Sequence, residues 1–307
     1  MNWLIFVIIA VLADSARIFG DNYISDVYFK GRHAVAQKVF HSYALIVLAL
    51  IFFAVSGFNF ANVDIVTIGL IITAGILHGF AGIPYYRALE IDDSTNMGIF
   101  VQLSPVFYLI LGWFFLDQSF SPMQLVAFAV IISAPALIVL TARKKSRKVK
   151  LKAVLFAFLY VIIAVVGNLL FVKIAPEALP FTTSVGLVFV GKALADIVIC
   201  AGSPKLRKRF RTVYKESKRK ILIPLTINSF VGGIQQFTYR AALVTAPAVA
   251  VASAASDSAE PIVIFFLGIL LTLIWPKFGR EKLTRKSVLV HLIATVLVVV
   301  GVLLLQI

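Results

Sequence analysis

The stretch Pro261-Ile-Val-Ile-Phe-Phe-Leu-Gly268 has an earlier counterpart in this chain, Pro105-Val-Phe-Tyr-Leu-Ile-Leu-Gly112. Each stretch follows a copy of the same tripeptide. The first copy is Tyr86-Arg87-Ala88 and the second is Tyr239-Arg240-Ala241. A tripeptide and a proline-led apolar run that recur in one order indicate that a block of the chain was duplicated. Internal duplication of this kind is typical of several membrane architectures.

The composition excludes a soluble domain. The chain has 307 residues, of which 61% are hydrophobic and 14% are charged, and its mean hydropathy is +0.99; soluble domains carry about 25% charged residues. The apolar residues form runs long enough to cross about 30 Å of hydrocarbon, and backbone groups in lipid must be satisfied within each run. The sequence therefore predicts an all-α integral membrane protein. Ten spans are predicted, near residues 3–19, 39–57, 65–85, 95–116, 123–141, 153–174, 181–201, 221–239, 248–274 and 288–307.

The basic residues are distributed unevenly about these spans. Twenty-five of the 29 Lys and Arg residues fall in the loops after spans one, three, five, seven and nine, which share one side of the membrane. Cytoplasmic loops are enriched in Lys and Arg. We therefore expect a multi-pass protein of the cell membrane with cytoplasmic basic loops and both termini outside. The basic loops are expected to contact anionic lipid headgroups; nucleic-acid binding is disfavoured because these loops contain almost no stacking aromatic side chains.

The number of spans in each copy determines how the two copies are related. Five spans is an odd number, so the second copy must enter the membrane from the opposite face. This predicts an inverted 5+5 repeat, with a first unit at 1–143, a basic linker at 144–152 and a second unit at 153–307. Inverted repeats are a known basis of alternating access in secondary transporters.

Several short motifs resemble a known family. In the first copy they are Tyr86-Arg-Ala-Leu-Glu90, Leu103-Ser-Pro-Val-Phe107 and Leu116-Asp-Gln118, and in the second Tyr239-Arg-Ala-Ala242 and Glu260-Pro261. This ordered set is similar to the EamA repeat of the drug/metabolite transporter superfamily. The resemblance implies a ten-helix transporter of small metabolites in which both halves line a central cavity.

Two carboxylates in the ninth span are the strongest site candidates. Asp257 and Glu260 lie three residues apart and share a helix face just before Pro261. A charged residue at the centre of a membrane helix costs about 2.5–3.5 kcal/mol on insertion scales, so it needs a compensating role. One interpretation is a substrate or proton-coupling site. The alternative is a structural ion pair with Lys192 or Arg17.

Other polar residues within the spans form a second group of candidates. Lys192 and Asp196 are spaced i, i+4, and form either a self-contained pair or a substrate site with the Lys facing a cavity. Asp14 and Arg17, spaced i, i+3, are interpreted in the same two ways. Uncharged candidates for cavity lining are His78, Tyr85, Gln102, Asn168, Asn228, Gln235 and Tyr239. The Tyr-Arg-Ala motifs themselves are expected at the membrane surface.

These features favour a secondary transporter of a small amino-acid-like, nucleoside-like or amphipathic drug-like metabolite. Proton coupling, the direction of transport and the oligomeric state are left open. The alternatives are a membrane-embedded enzyme, a lipid-handling protein or a membrane scaffold. An enzyme is disfavoured because the sequence contains no paired nucleophile and base, and no cofactor or metal is predicted because metal-ligand spacings and nucleotide-binding loops are absent.

Overall fold

The computed structural model describes residues 2–29, 38–60, 63–91, 103–142, 151–274 and 285–304. Within these ranges the regular structure is helical, and no strand is present. The α-helices are α1 (Asn2–Tyr28), α2 (Lys38–Val55), α3 (Ile65–Ile91), α4 (Ser104–Leu116), α5 (Pro122–Ala142), α6 (Leu151–Ala178), α7 (Phe181–Gly202), α8 (Pro204–Ser217), α9 (Leu222–Thr245), α10 (Val249–Ile274) and α11 (Arg285–Leu304). A short 3₁₀ turn, Lys218–Ile221, joins α8 to α9.

Helices other than α8 overlap the predicted spans. Among the described residues, α1, α3, α6, α7 and α10 contain stretches long and apolar enough to cross a membrane. Shorter apolar stretches lie in α2, α4, α5 and α11. These helices make the chain a multi-pass membrane protein. α9 is more polar than the others because it carries Asn228, Gln235, Gln236 and Arg240.

Several predicted boundaries were wrong or lie outside the described residues. α1 continues to Tyr28 instead of ending at Phe19, and α9 continues to Thr245 instead of ending at Tyr239. The end of the predicted linker, residues 151–152, is the first part of α6; residues 144–150 lie outside the described ranges, as do residues 95–102 of the fourth predicted span.

The loop after the seventh span contains a helix that the sequence analysis missed. In α8 the side chain of Val213 is buried against Ile24, Phe29 and Leu225. Lys205, Arg207, Lys208 and Arg211 are exposed. Membrane-surface helices have such a division between one apolar face and many basic residues.

The start of α3 has a side-chain cap. Before α3, the backbone N–H and the hydroxyl of Thr67 donate hydrogen bonds of 2.8 and 2.7 Å to the carboxylate of Asp64. These bonds satisfy groups at the start of the helix. They also lower the pKa of the Asp64 carboxyl, because they stabilise its charged form.

Most of the helix packing joins the first half of the chain to the second. α3 packs against α6 and α7, and α1 packs against α9 and α10. α2 packs against α7, α4 against α10 and α6, and α5 against α11. The cores of these contacts contain residues from both halves, such as Ile71 with Val188 and Tyr108 with Val249.

Glycines allow α3 and α7 to approach closely. A Cβ atom on Gly75 would meet the backbone carbonyl of Val188, and one on Gly191 would meet the carbonyl of Ile72. Small residues at helix interfaces drive association in membranes because they let backbones come into contact. By contrast, a Cβ on Gly69 would meet nothing within 4 Å.

We expect Gly75→Ala to destabilise the protein by about 1–3 kcal/mol, the usual range for overpacking a close contact. The backbone carbonyl of Val188 cannot move aside without displacing α7. Thermal unfolding in detergent measures the effect, with Gly69→Ala on the same helix as the matched control. An unchanged melting temperature for Gly75→Ala would contradict this account of the α3–α7 contact.

Candidate functional site

Asp257 lies at a contact between the two halves of the chain. The hydroxyl of Ser104, from α4, donates a short hydrogen bond to Oδ2 of Asp257. The hydroxyl of Ser253, one turn earlier on α10, donates to the same oxygen at 2.9 Å. Ser104 precedes Pro105 as Glu260 precedes Pro261. The first copy therefore supplies a hydrogen-bond donor to the carboxylate of the second.

Glu260 has a different environment one turn further along α10. Its side chain is half-buried, and among the described residues it has no hydrogen-bond or ion-pair partner. Three charged residues lie within electrostatic range of it: Asp14, Asp257 and Arg17. The predicted alternative was an ion pair of Asp257 or Glu260 with Lys192 or Arg17. The pairing with Arg17 is wrong, because among the described residues its ion pairs are with Asp14 and Asp21.

Arg17 joins two carboxylates of its own helix. Its guanidinium lies 2.7 Å from Oδ1 of Asp14 and 2.8 Å from Oδ2 of Asp21. The amide of Asn228 on α9 donates to Oδ1 of Asp21 at 2.7 Å. The side chains of Asp14, Arg17 and Asp21 are 19%, 33% and 26% exposed, so this part of the bundle is accessible.

The phenol of Tyr108 links two of the predicted candidates. The amide of Asn168 donates to Oη of Tyr108 at 2.7 Å, and Oη of Tyr239 lies 3.5 Å from the same atom. Asn168 and Tyr108 are buried, and Oδ1 of Asn168 has no partner among the described residues. Asp257 is within electrostatic range of both tyrosines.

Tyr85, on α3, lies near the same polar residues. Its ring packs against that of Tyr160 on α6, with the ring centres 5.0 Å apart. Arg17, Glu260 and Asp14 are within electrostatic range of Tyr85. The candidates on α3, α6, α9 and α10 therefore converge, and α1 and α4 contribute as well.

The remaining predicted residues lie around this group. The Lys192 charge acts on Asp21, and Asp196 is buried one turn further along α7. Gln235 accepts a 2.8 Å hydrogen bond from the amide of Gln236. His78 is half-buried beside the α3–α6 contact, near Gly167. Gln102 lies outside the described residues.

Arg240 was predicted at the membrane surface, and this prediction was wrong. Its side chain is only 1% exposed, and it packs over the ring of Phe171 at 5.6 Å from the ring centre. The phenols of Tyr108 and Tyr239 lie within electrostatic range of it. Arg87, the matching residue of the first copy, is exposed. The second Tyr-Arg-Ala motif therefore belongs to the interior.

These contacts form one elongated group, which we call the central polar cluster. Its members are Asp14, Arg17, Asp21, Tyr85, Ser104, Tyr108, Tyr160, Asn168, Asn228, Gln235, Gln236, Tyr239, Arg240, Ser253, Asp257 and Glu260. It extends along α9 from Asn228 to Arg240, a distance of about 18 Å at 1.5 Å per residue. Sequence reasoning missed six of its members or misjudged them as peripheral. These are Asp21, Ser104, Tyr108, Tyr160, Arg240 and Ser253.

Comparisons with known proteins agree with this architecture. A model of the EamA-like transporter family matches residues 2–141. A solved structure described as "Crystal structure of protein" superposes with a TM-score of 0.69 over 96% of this chain and 94% of that chain, at 13% identity; at that identity the likeness shows the fold alone. No curated protein sequence matches the chain. Residues 2–141 are therefore similar to the EamA-like transporter family, which is consistent with a member of the drug/metabolite transporter superfamily.

Proposed function

We propose that this chain is a secondary transporter that moves a small metabolite by alternating access. The central polar cluster is the observation that carries the proposal. It combines residues of both halves, and the hydrogen bond from Ser104 to Asp257 joins the halves at its centre. A relative movement of the halves would therefore change the environment of this carboxylate. A charged side chain within a membrane helix carries an insertion cost, and such a role would account for its presence.

The packing supports an inverted repeat of ten spans, in units 1–143 and 153–307. If α1 to α5 correspond to α6, α7, α9, α10 and α11, the contact of α1 with α9 becomes the contact of α6 with α3. The contact of α1 with α10 likewise becomes that of α6 with α4, and the pairs α2–α7, α4–α10 and α5–α11 map onto themselves. Exchange symmetry of this kind is the arrangement in which two halves can swap conformations.

The exposure of the central polar cluster differs between its ends. Arg17 is a third exposed at one end. Arg240, Tyr108 and Asn168 are 1%, 2% and 3% exposed at the other. We interpret this as one of the two access states, open near Arg17 and closed near Arg240.

Glu260 is the residue that we assign to proton coupling. It is half-buried and lacks a hydrogen-bond partner among the described residues, while the negative charges of Asp14 and Asp257 lie nearby. Ionisation of one carboxylate beside others is unfavourable and depends on which of them are occupied by protons or substrate. Binding of a proton can thus be linked to binding of the substrate.

We also propose that the basic loops, including α8, face the cytoplasm and anionic lipid headgroups, with both termini outside. The exposed basic residues of α8 follow directly on α7 and so lie close to the membrane surface. Lys and Arg near an anionic leaflet contribute about 1 kcal/mol each.

Flux into proteoliposomes tests the proposed function. Purified protein is reconstituted, and uptake of radiolabelled amino acids, nucleosides and cationic drugs is measured with an imposed pH gradient. We expect at least one class to accumulate with the gradient and to lose accumulation when a protonophore removes it.

Protein-free liposomes are the control for leakage. Equal uptake in both preparations, for every compound and with folded protein, would contradict transport and favour an enzyme or a scaffold. Uptake that does not respond to the gradient would retain the transporter and reject proton coupling.

A further inference from the structure

The guanidinium of Arg240 is a buried cation without a carboxylate partner. Its side chain is 1% exposed, and no acidic residue of the described ranges forms an ion pair with it. Arginine stays protonated in proteins. Burying such a charge without a counterion is strongly unfavourable, so the chain retains this charge against a large penalty.

One edge of this guanidinium is already engaged. Nη1 donates to the carbonyl oxygen of Gln236 at 3.2 Å and to its side-chain oxygen Oε1 at 2.6 Å. The Gln236 amide is in turn held by Oε1 of Gln235 at 2.8 Å. Phe171 covers a face of the group. These contacts fix the orientation of the guanidinium plane.

The opposite edge has no hydrogen-bond acceptor among the described residues. Nε is fully buried and has no acceptor among the described residues, and the hydrogen bonds that Arg240 donates there all come from Nη1. Nε and Nη2 are the two donors that bind a carboxylate side-on, through two parallel hydrogen bonds. The free edge therefore has the geometry of a half-built carboxylate site.

The surroundings of this edge belong to the central polar cluster. Tyr108 and Tyr239 both interact with the Arg240 charge, and both also interact with Asp257. The unpartnered Oδ1 of Asn168 lies beside Tyr108. The Arg240 guanidinium is thus within electrostatic range of the phenol beside which the free acceptor of Asn168 lies.

We propose that Arg240 binds a carboxylate group of the transported substrate through Nε and Nη2. This inference rests on the proposed transport function, and it identifies the substrate class as organic acids or zwitterions with a carboxylate. The single cation matches a monoanion. A phosphate dianion would leave charge uncompensated, since the described residues place no second basic group in contact with Arg240.

Binding to the purified protein tests this proposal without a gradient or a transport step. Benzoate and its neutral counterpart benzamide are titrated in detergent, with thermal unfolding as the readout and matched chloride as the ionic control. We expect benzoate to raise the melting temperature and benzamide and inorganic phosphate to have little effect. Arg240→Gln should raise the apparent Kd for benzoate at least about tenfold, because the variant loses a bidentate charged pair.

Arg87→Gln is the matched control, because it removes the exposed arginine of the first copy and should leave benzoate binding unchanged. Arg240→Lys keeps the charge but loses the planar fork, so it should also bind benzoate more weakly. Should Arg240→Gln fail to fold, Arg240→Lys and the benzoate–benzamide comparison in the wild-type protein still decide the matter.

Two results would overturn the proposal. One is equal stabilisation by benzoate and benzamide, or none by benzoate, in the wild-type protein. The other is an unchanged affinity for benzoate in a folded Arg240 variant. Either result would leave transport itself intact if proteoliposomes still take up a compound without a carboxylate. Conversely, carboxylate binding without flux would retain the site and reject transport.

Discussion

Replacing Asp257 with Asn is expected to lower the rate of uptake about a hundredfold. The side chain keeps its size and an acceptor oxygen, but loses the negative charge that strengthens the hydrogen bonds from Ser104 and Ser253. Hydrogen bonds to a charged group contribute about 1.5 kcal/mol or more each, and two of them correspond to about a factor of one hundred in an equilibrium. Initial uptake rates in proteoliposomes, normalised to the amount of folded protein, measure this effect.

Asp117→Asn is the matched control for this substitution. Asp117 is exposed at the end of α4 and has a φ of 52°, a left-handed conformation that Asn also adopts. It should transport at the wild-type rate. Asp257→Asn protein that folds normally and transports at the same rate as Asp117→Asn would show that the carboxylate has no part in transport.

Replacing Glu260 with Gln is expected to abolish accumulation driven by a pH gradient. The amide cannot release a proton, so the link between protonation and the Asp14–Arg17–Asp257 charges is lost. Exchange of labelled for unlabelled substrate needs no net proton movement and should continue. Steady-state accumulation and exchange are measured on the same proteoliposomes, and accumulation should fall to equal concentrations on both sides.

Glu177→Gln is the corresponding control, because Glu177 is exposed near the end of α6. Accumulation by Glu260→Gln that equals that of Glu177→Gln would assign proton coupling to another group. A loss of exchange as well would instead assign Glu260 to substrate binding.

The sequence predicted the described helices other than α8 because most of them contain an apolar run, and five of these runs are long enough to cross a membrane. The position of Asp257 and Glu260 before Pro261 also identified them as site candidates. Their spacing predicts a shared helix face, but it contains no information on which distant residue meets that face. Ser104 could be recognised as the partner of Asp257 only once α4 and α10 were seen in contact.

The two most informative errors had one physical origin, the placement of helix ends. A hydropathy pattern fades where polar residues begin, so α1 was ended at Phe19 and Asp21 was assigned to a loop. The spacing of Asp14, Arg17 and Asp21 by three and four residues is itself a helical signal that extends the helix. In the same way, α9 was ended at Tyr239, which placed Arg240 at the surface although the helix continues to Thr245.

The pairing of α1 with α9 has a consequence for the synthesis of the protein. α9 begins at Leu222, about 200 residues after α1 ends, and translation at about 5–20 residues per second takes on the order of ten to forty seconds over that distance. During this interval α1 lacks its two main packing partners, α9 and α10. Arg17 nevertheless has its counterions, because Asp14 and Asp21 lie on the same helix.

The first helix can therefore enter the bilayer with its cation already compensated, and Asn228 is added to the group only when α9 arrives. If the only counterions of this guanidinium lay on α9 or α10, it would instead have no counterion until those helices were synthesised. The local arrangement of this triad thus matches the order in which the ribosome delivers the helices.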